Sequence, residues 1–359
     1  MRTQHYLGTT PLFPVAQYVR ALRPLLPPDA FAPARSRLAL LPVHLAVIVA
    51  ATLTIANGWI PWFGVPLLSV VIGTSFACLT FIAHEAMHGA IVRNRRVKHV
   101  ISWFGFLPFV LSPRLWAAWH DRVHHARANQ ADDPDLYPDV AGYHASSRAR
   151  FSIDQFSLGG RRWRGGLSLI LGFTVQSAHQ LILAEDRGFL DARERKLARA
   201  ETALGIGVWL LVAGLVGFVS FLFVFVLPLL IANAIVMSYI LTNHSLSPRV
   251  TINDPLVSSL TVTNPRWFEL LTLNFGYHVE HHLFPAMSSR HAHKVRSLVQ
   301  ERWPGRYQSM PHAAALGRLH RTARVYKDAT TLVDPTTGAE YPTLLPADCM
   351  RDEPARIPA

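Results

Sequence analysis

The chain has 359 residues, of which 50% are hydrophobic and only 16% are charged. Its mean hydropathy is positive, which is unusual for a soluble protein of this length. A net charge of +12 in a soluble protein would suggest nucleic acid, but here the Lys and Arg residues lie outside two long uncharged runs. We therefore expect a membrane protein whose basic segments face anionic membrane lipids, without a nucleic-acid partner.

The first half of the chain predicts one helical hairpin. Residues 1–37 are rich in proline, so we predict an extended, solvated N-terminal segment. Residues 38–83 contain no Lys, Arg, Asp or Glu, and only the turn-like sequence at 57–64 interrupts them. Each part has close to the ~20 residues that a helix needs to cross the hydrocarbon core. We predict spans at 38–56 and 65–84.

The central and later parts predict a second hairpin. Two weaker apolar stretches, at 100–119 and 166–184, are predicted to be interfacial or re-entrant, and the first contains two prolines and an arginine. The uncharged run at 202–243 is about twice the length of one span. We predict spans at 203–221 and 223–242, with a break near 220–222.

Lys and Arg residues precede the first span and follow the second, whereas both hairpin turns are uncharged. The positive-inside rule then places both termini and the central segment in the cytoplasm, at the inner or plasma membrane in a bacterium. The sequence predicts an all-α integral membrane protein with about four transmembrane helices in two hairpins and a cytoplasmic His-rich helical cap. Its main domain would cover residues 38–303, and a cytoplasmic tail would cover 304–359.

Three histidine clusters carry the chemistry that the sequence predicts. Positions i, i+3 and i+4 of a helix share a face, so each cluster can aim at least two imidazoles at one point. Two spans separate the third cluster from the first two, which returns the chain to the same membrane face. Eight imidazoles exceed the four ligands of one zinc ion, so we predict two metal ions, although imidazole suits Zn, Cu, Fe and Ni alike. The clusters are His84 and His88; His120, His124 and His125; and His278, His281 and His282.

The other histidines and the cysteines are predicted to have ordinary roles. Two cysteines, Cys78 and Cys349, are too few for an iron–sulfur cluster or a Cys-rich zinc site. Seven isolated histidines are expected to be hydrogen-bonded polar residues. They are His44, His99, His179, His291, His293, His312 and His320.

The clusters resemble the three His boxes of the membrane fatty acid desaturase and hydroxylase superfamily, in order and in separation. The sequences Asp133-Pro-Asp135 and Asn274-Phe-Gly-Tyr-His-Val-Glu-His-His-Leu-Phe-Pro285 agree with this resemblance, which covers roughly residues 38–302. It implies two non-haem irons, dioxygen, a fatty acid or fatty acyl lipid substrate, and an external electron donor such as a ferredoxin or a cytochrome. It also implies that His244 is a ninth ligand.

The resemblance leaves the reaction open. Insertion of a double bond is the expected activity, but residues 263–296 and a tail segment at 318–328 also resemble fatty acid decarboxylases that form terminal alkenes. That reaction would need a clamp for a free carboxylate, and Arg122, Arg127 or Arg266 could supply it.

A zinc metalloprotease is the alternative from another class of enzyme. The segment from His84 to His88 also matches the HExxH motif, with Glu85 as the general base. This alternative leaves six clustered histidines unexplained. Glu85, Asp121 and Glu280 interrupt the boxes, and they could instead orient ligand imidazoles or be solvated.

Overall fold

The computed structural model describes residues 5–184 and 186–347. This part of the chain is mainly helical, as predicted, and its short strands form three small sheets outside the apolar helices. In the first sheet, β1 (His5–Leu7) is antiparallel to β2 (Thr10–Leu12). In the second sheet, β3 (Thr261–Thr263) is parallel to β4 (Ser309–Pro311). The third sheet is antiparallel and contains β5 (Val325–Tyr326), β6 (Thr331–Val333) and β7 (Glu340–Pro342).

The N-terminal segment is folded, so the prediction of an extended, solvated chain is wrong. Helix α1 (Val15–Leu22) buries Tyr18 and Leu22 completely. These residues are one turn apart, and they give α1 an apolar face that packs in the C-terminal cap. The Tyr18 hydroxyl also donates to Asp254, whose carboxylate pairs with the fully buried Arg306 at 2.7 Å.

The first hairpin has the predicted form. Helix α2 (Leu40–Ala56) and helix α3 (Val65–Met87) run antiparallel and are joined by an uncharged turn. In that turn the side chains of Trp59 and Trp62 are 71% and 84% exposed. Such aromatic residues are typical of a membrane–water interface.

The first weak apolar stretch is re-entrant, in agreement with the prediction. Helix α4 (Arg95–Phe106) packs along α3, and helix α5 (Pro113–Trp116) begins the return after a bend of 99°. Val110, at the bend, has a left-handed backbone with φ of 48°. The return continues through the π-helix Ala117–His124 and helix α6 (His125–Arg127), so both ends of the pair lie at the His84 end of α3.

The segment that follows runs from the first two clusters to the second hairpin. Five helices among the described residues are long and apolar enough to cross a membrane, and the stretch Trp163–Leu183 is one of them. Its elements are α7 (Val140–Ala145), α8 (Ser147–Phe151), the π-helix Ser152–Phe156 and α9 (Gly166–Leu183).

Both ends of α9 lie on the same side of the molecule. Before its first turn, the Arg161 amide donates to the His320 carbonyl, and the loop after His320 is bonded to Ser245, next to His244. After its last turn, Arg122 of the histidine-bearing π-helix donates to the Phe189 carbonyl. A crossing helix would have its ends on opposite faces, so these contacts favour an α9 that does not cross, which would leave four of the five candidate spans.

The second hairpin differs from the prediction in its boundaries. Helix α10 (Ala192–Val216) starts earlier than predicted and ends at Gly217, where φ is 79°. The predicted break near 220–222 is wrong, because a glycine with positive φ ends α10 first. The second arm consists of α11 (Phe218–Phe221), the π-helix Leu222–Val226 and α12 (Leu227–His244).

The C-terminal elements cover the His244 end of the bundle. The main apolar core lies beneath them, between α3, α12, α9 and the re-entrant pair, and it includes Phe76, Phe106 and Phe173. The covering helices are α13 (Pro255–Ser258), α14 (Arg266–Leu271), α15 (His278–Leu283), α16 (Ala292–Arg302) and α17 (His312–Arg321). Short 3-10 turns occur at Arg23–Leu25, Pro28–Phe31, Arg35–Ala39, Trp62–Gly64, Leu107–Phe109, Trp163–Gly165 and Ser289–His291.

Candidate metal centre

Four separate elements bring the predicted histidines to one place. The last turn of α3 carries the first cluster, the re-entrant return carries the second, α12 ends in His244, and α15 carries the third. In a π-helix the residues i and i+5 lie closer to one face than in an α-helix, because each turn is wider. The π-helix Ala117–His124 therefore lets His120, His124 and His125 all face inward.

The nine imidazoles divide into two groups that could each hold one metal ion. Within each group, one ring nitrogen of every histidine lies within 4.8 Å of those of the others. The first group is His84, His88, His120, His125 and His281, and the second is His124, His244, His278 and His282.

The nitrogen–nitrogen distances fit imidazoles that share an ion. In the second group, Nε2 of His282 is 3.1 Å from Nε2 of both His244 and His278. In the first group, Nε2 of His125 is 3.2 Å from that of His120 and 3.1 Å from that of His281. Nitrogen ligands about 2.1 Å from a common metal would be roughly 3.0–3.4 Å apart. These four distances fit a transition metal, whereas Nε2 of His278 and Nε2 of His244, at 2.6 Å, are closer than two ligands of one ion would be.

Hydrogen bonds on the far side of three rings fix which nitrogen faces the cluster. Nδ1 of His244 donates to the Ser258 carbonyl at 2.9 Å, and a carbonyl can only accept. Nδ1 of His124 is 3.0 Å from the buried carboxylate of Asp133, and Nδ1 of His88 is 3.0 Å from Asp121. Such partners fix the tautomer and raise the basicity of the ligand nitrogen.

Burial keeps the third cluster neutral. Desolvation, together with the neighbouring imidazoles, lowers the pKa of His278, His281 and His282 well below the ordinary value. A metal binds the neutral imidazole. The cluster is therefore ready to bind a metal at neutral pH without first releasing protons.

The three acidic residues inside the boxes have different roles. Of the three, Asp121 is the one that contacts a clustered histidine, His88. Glu280 is fully buried and accepts hydrogen bonds from the hydroxyls of Thr261 and Tyr307. Glu85 forms a buried ion pair with Arg37 and accepts from the Ser289 amide at 2.7 Å, so its carboxylate is already engaged and poorly suited to act as a general base.

Sequence reasoning missed the roles of Asp133 and Asp135. Asp133 holds His124, and Asp135 forms a further cluster with His120 and His124 that could bind a metal. Asp135 also accepts hydrogen bonds from the indole of Trp119 and the amide of Gln176. The sequence Asp133-Pro-Asp135 was a signal for both residues, because it lies just after the second box.

The isolated histidines stay outside these groups. Several have ordinary hydrogen-bond partners, such as Ser75 for His44 and Glu201 for His99. His312 is 3.1 Å from the Ser238 carbonyl. His179 differs, because it lines a cavity that reaches the metal centre. Cys349 lies outside the described residues.

A cavity of about 840 Å³ opens onto both groups of histidines. Its inner wall includes His84, His120, His124, His244 and His278 together with large apolar side chains. The apolar wall includes Phe81, Phe106, Trp116, Trp119, Phe173 and Met237, all of which are buried. The volume lies in the range of ligand sites, which are commonly about 300–1,000 Å³.

The arginines proposed as a carboxylate clamp do not line this cavity. Arg122 donates to the Phe189 carbonyl, Arg127 pairs with Asp132 on the surface, and Arg266 begins α14. Two arginines that were not predicted, Arg148 and Arg187, line the cavity instead. They come from loop and helix segments that only the tertiary fold brings to its opening.

Comparisons with known proteins agree with the geometry. A family model described as fatty acid desaturase matches residues 57–314, which include all nine histidines. The chain is 23% identical over 261 residues to an omega-6 fatty acid desaturase, chloroplastic, of Arabidopsis thaliana, covering 70% of this chain and 56% of that protein. It is 24% identical over 262 residues to an sn-1 oleoyl-lipid 12-desaturase of Anabaena variabilis, covering 68% of this chain and 71% of that protein.

The match thus spans little more than half the length of the plant relative and about two thirds of this chain. A third relative, the sn-1 oleoyl-lipid 12-desaturase of Synechocystis, is 21% identical over 263 residues, which cover 68% of this chain and 71% of that protein. The family match covers most of the chain and every clustered histidine. The chain therefore belongs to the fatty acid desaturase family.

Proposed function

We propose that this protein is a dioxygen-dependent, non-haem di-iron oxidoreductase that inserts a double bond into a fatty acyl chain. The observation that carries the proposal is the pair of histidine groups at the inner wall of an apolar cavity. Family membership supports both the metal and the reaction. The names of the relatives support an acyl chain as the substrate.

The first group would hold one iron and the second group the other. All nine proposed ligands are imidazole nitrogens, which suit iron but also suit zinc and copper. The family, rather than the ligand set, favours iron. When bound, the two irons would activate dioxygen for attack on an unactivated C–H bond.

The protein's own residues would hold the acyl chain and keep water away from it. Aromatic side chains such as Phe106, Trp116 and Phe173 line the cavity beside the ligand rings. A chain fixed there would present only a few carbons to the metal centre, and an error of about 1 Å can change a rate about 100-fold. The reaction balances as two hydrogens removed from the substrate, with dioxygen, two electrons and two protons, to give two waters.

Electrons would come from a separate ferredoxin or cytochrome partner, since the reaction consumes two from outside. The histidine face carries the basic segments, including Arg93, Arg95, Arg96 and Lys98, whereas the turn at Trp62–Gly64 is uncharged. Together with the positive-inside rule, this supports a cytoplasmic location for the metal centre and for both termini.

The product of the reaction tests the proposal. The purified protein is reconstituted with iron and a ferredoxin system, supplied with medium- and long-chain saturated substrates, and its products are analysed by gas chromatography and mass spectrometry. We expect two irons per chain, consumption of dioxygen and a product with an internal double bond and the full carbon count. A terminal alkene one carbon shorter would assign the decarboxylation instead. One zinc without iron, with cleavage of a membrane peptide, would contradict both.

Single substitutions test the ligand assignment. We expect Ala at any of the nine histidines to abolish turnover and lower the iron content while the protein still inserts, because apolar helices drive insertion. His293→Ala is the matched control, since His293 is exposed and bonded only within α16 and the turn before it. Wild-type rates in several cluster variants would refute the assignment.

A further inference from the structure

The charges on the cavity wall are distributed unevenly. Apart from histidines and Tyr137, the cavity wall among the described residues contains three ionisable side chains, which are Asp135, Arg148 and Arg187. Asp135 lies at the inner end, next to His124, with its side chain 12% exposed, whereas both arginines are exposed. The opening of the cavity is therefore cationic, whereas most of its inner wall is apolar and Asp135 lies beside the candidate metal centre.

Both arginines lie near the same residue of the cavity wall, His179. Both lie close enough to His179 to influence it electrostatically, and Arg187 also acts on Asp135. His179 is exposed on α9 and lines the same cavity as both arginines. Two guanidinium groups that share a neighbour repel each other unless an anion lies between them.

Within residues 5–184 and 186–347, no carboxylate forms an ion pair with either arginine. Among the described residues Arg148 forms no ion pair, and Arg187 donates only to the neutral amide oxygen of Gln180, at 3.3 Å. The carboxylate of Asp135 is occupied by Trp119 and Gln176. Both guanidinium groups therefore keep donors free for a group that comes from outside.

We infer that Arg148 and Arg187 bind the anionic head, a carboxylate or a phosphate, of the acyl substrate whose chain occupies the cavity. Guanidinium groups suit both anions, because their planar donors can bond two oxygens at once. The exposed hydroxyls of Ser147 and Ser152 line the same opening and could donate to further oxygens of the head. This inference rests on the proposed function, because it takes the cavity to be the acyl site.

The position of the opening explains how the head would be held relative to the metal centre. Gln176, which bonds Asp135, and Gln180, which accepts from Arg187, are one turn apart on α9. That turn corresponds to about 6 Å along the helix axis. One side of α9 therefore connects the head site to the carboxylate beside His124, so an anchored head would fix which carbons reach the histidines.

Equilibrium binding without turnover tests the inference. The full-length protein in neutral detergent, under nitrogen, is titrated at pH 8 with radiolabelled palmitate, hexadecyl phosphate and hexadecanol, which share a sixteen-carbon chain and differ in the head. We expect palmitate, hexadecyl phosphate or both to bind about ten- to hundred-fold more tightly than hexadecanol, because hydrogen bonds to charged groups are the stronger ones. The two anionic ligands distinguish a free carboxylate from a phosphate head.

The variants Arg148→Gln and Arg187→Gln should each reduce this preference, and the double variant should abolish it while hexadecanol binds as before. Arg148→Lys and Arg187→Lys should retain part of it. The matched control is Arg164→Gln, since Arg164 is exposed near the start of α9, bonds Gln155 and does not line the cavity.

Equal affinity of the wild-type protein for all three ligands would overturn the inference, even if a variant fails to fold. So would an unchanged preference in a folded double variant, which would mean that the arginines contact only the lipid surface. Because binding is measured without dioxygen, its outcome is separate from that of the proposed function. Head selectivity without any double-bond formation would refute the proposed function alone.

Discussion

Asp133 follows the second box in the sequence, and its side chain is almost fully buried. Both of its carboxylate oxygens have hydrogen-bond partners. One oxygen faces Nδ1 of His124 at 3.0 Å and also accepts from the Asp135 amide, and the other accepts from the Asn129 amide at 2.8 Å. Burial raises its pKa, but the facing His124 and the Asp135 amide leave the pKa lower than usual, so the group is ionised at neutral pH. A charged acceptor in this position holds the ring of His124 in one orientation.

We expect Asp133→Asn to lower iron affinity or turnover by about 10- to 100-fold, the usual cost of losing such a partner. Iron retained against a series of chelator concentrations would measure the effect. Asp132→Asn is the control, because Asp132 is half exposed and pairs with surface Arg127. Wild-type iron affinity in Asp133→Asn would show that the carboxylate does not position the ligand.

At the scale of elements, close approach of α4 to α3 determines where the re-entrant pair lies. A Cβ atom added at Gly105 would be 2.5 Å from the carbonyl oxygen of Leu79 and 2.6 Å from Cβ of Ala83. Ala83 directly precedes His84. Ser102, one turn before Gly105, donates to the Ala83 carbonyl at 3.1 Å. The position of the first box therefore depends on this contact.

We expect Gly105→Ala to separate the two helices, to destabilise the protein by about 1–3 kcal/mol as overpacked cores do, and to reduce iron content. Gly214→Ala is the matched control, because a Cβ at Gly214 would meet nothing within 4 Å. In the control, alanine should be neutral or stabilising by up to about 1 kcal/mol. The midpoint of thermal unfolding is measured for both variants. Equal midpoints would contradict the close contact of Gly105 with α3.

The course of α9 gives an element-scale prediction about topology. Single cysteines at Arg164 and Asp186, in a background with Cys349→Ser, should react with a membrane-impermeant maleimide from the same side. A cysteine at Asn57 should react from the opposite side. The native Cys78 is buried and should stay silent. Labelling of Arg164→Cys and Asp186→Cys from opposite sides would mean that α9 crosses, which would contradict its contacts at both ends.

At the scale of the whole molecule, the candidate metal centre also connects separate helices. Its candidate ligands come from α3, the re-entrant return, α12 and α15, so bound metal would link elements that are far apart in sequence. A ligand that binds only the folded state stabilises it in proportion to its affinity. We expect chelation of the metal to lower the thermal midpoint of the wild-type protein and to have little effect on a His124→Ala, His281→Ala double variant. An equal decrease of the thermal midpoint in the wild-type protein and in the double variant would show that the chelator does not act through metal at this centre.

Acid should destabilise the metal-free protein, and the sign follows from the lowered pKa of His278, His281 and His282. Below about pH 6.5 the unfolded chain takes up protons that the buried rings do not. The free energy of unfolding should therefore decrease as the pH falls through that value. Denaturant titrations of the metal-free protein between pH 8 and 5 would measure it, and an unchanged free energy would contradict the burial of these rings.

The amino-acid sequence alone predicted the all-α membrane fold, the first hairpin and the family, because each depends on local patterns. Apolar runs set the helices, and the i, i+3 and i+4 spacing of histidines makes each box visible without any contact. The nine histidines that meet in the structure are the nine that the sequence pointed to. Their assignment as ligands remains a prediction until metal is measured.

The tertiary structure decided what depends on contacts between distant segments. The division into five and four histidines follows from how α12 and α15 approach the re-entrant return, which box spacing cannot encode. The packing of α1 depends on Asp254 and Arg306, far along the chain, so local proline content gave the wrong answer there. Arg148 and Arg187 line one cavity only because α8 and the turn after α9 both border it. Their separation in sequence gives no periodic pattern from which this could be predicted.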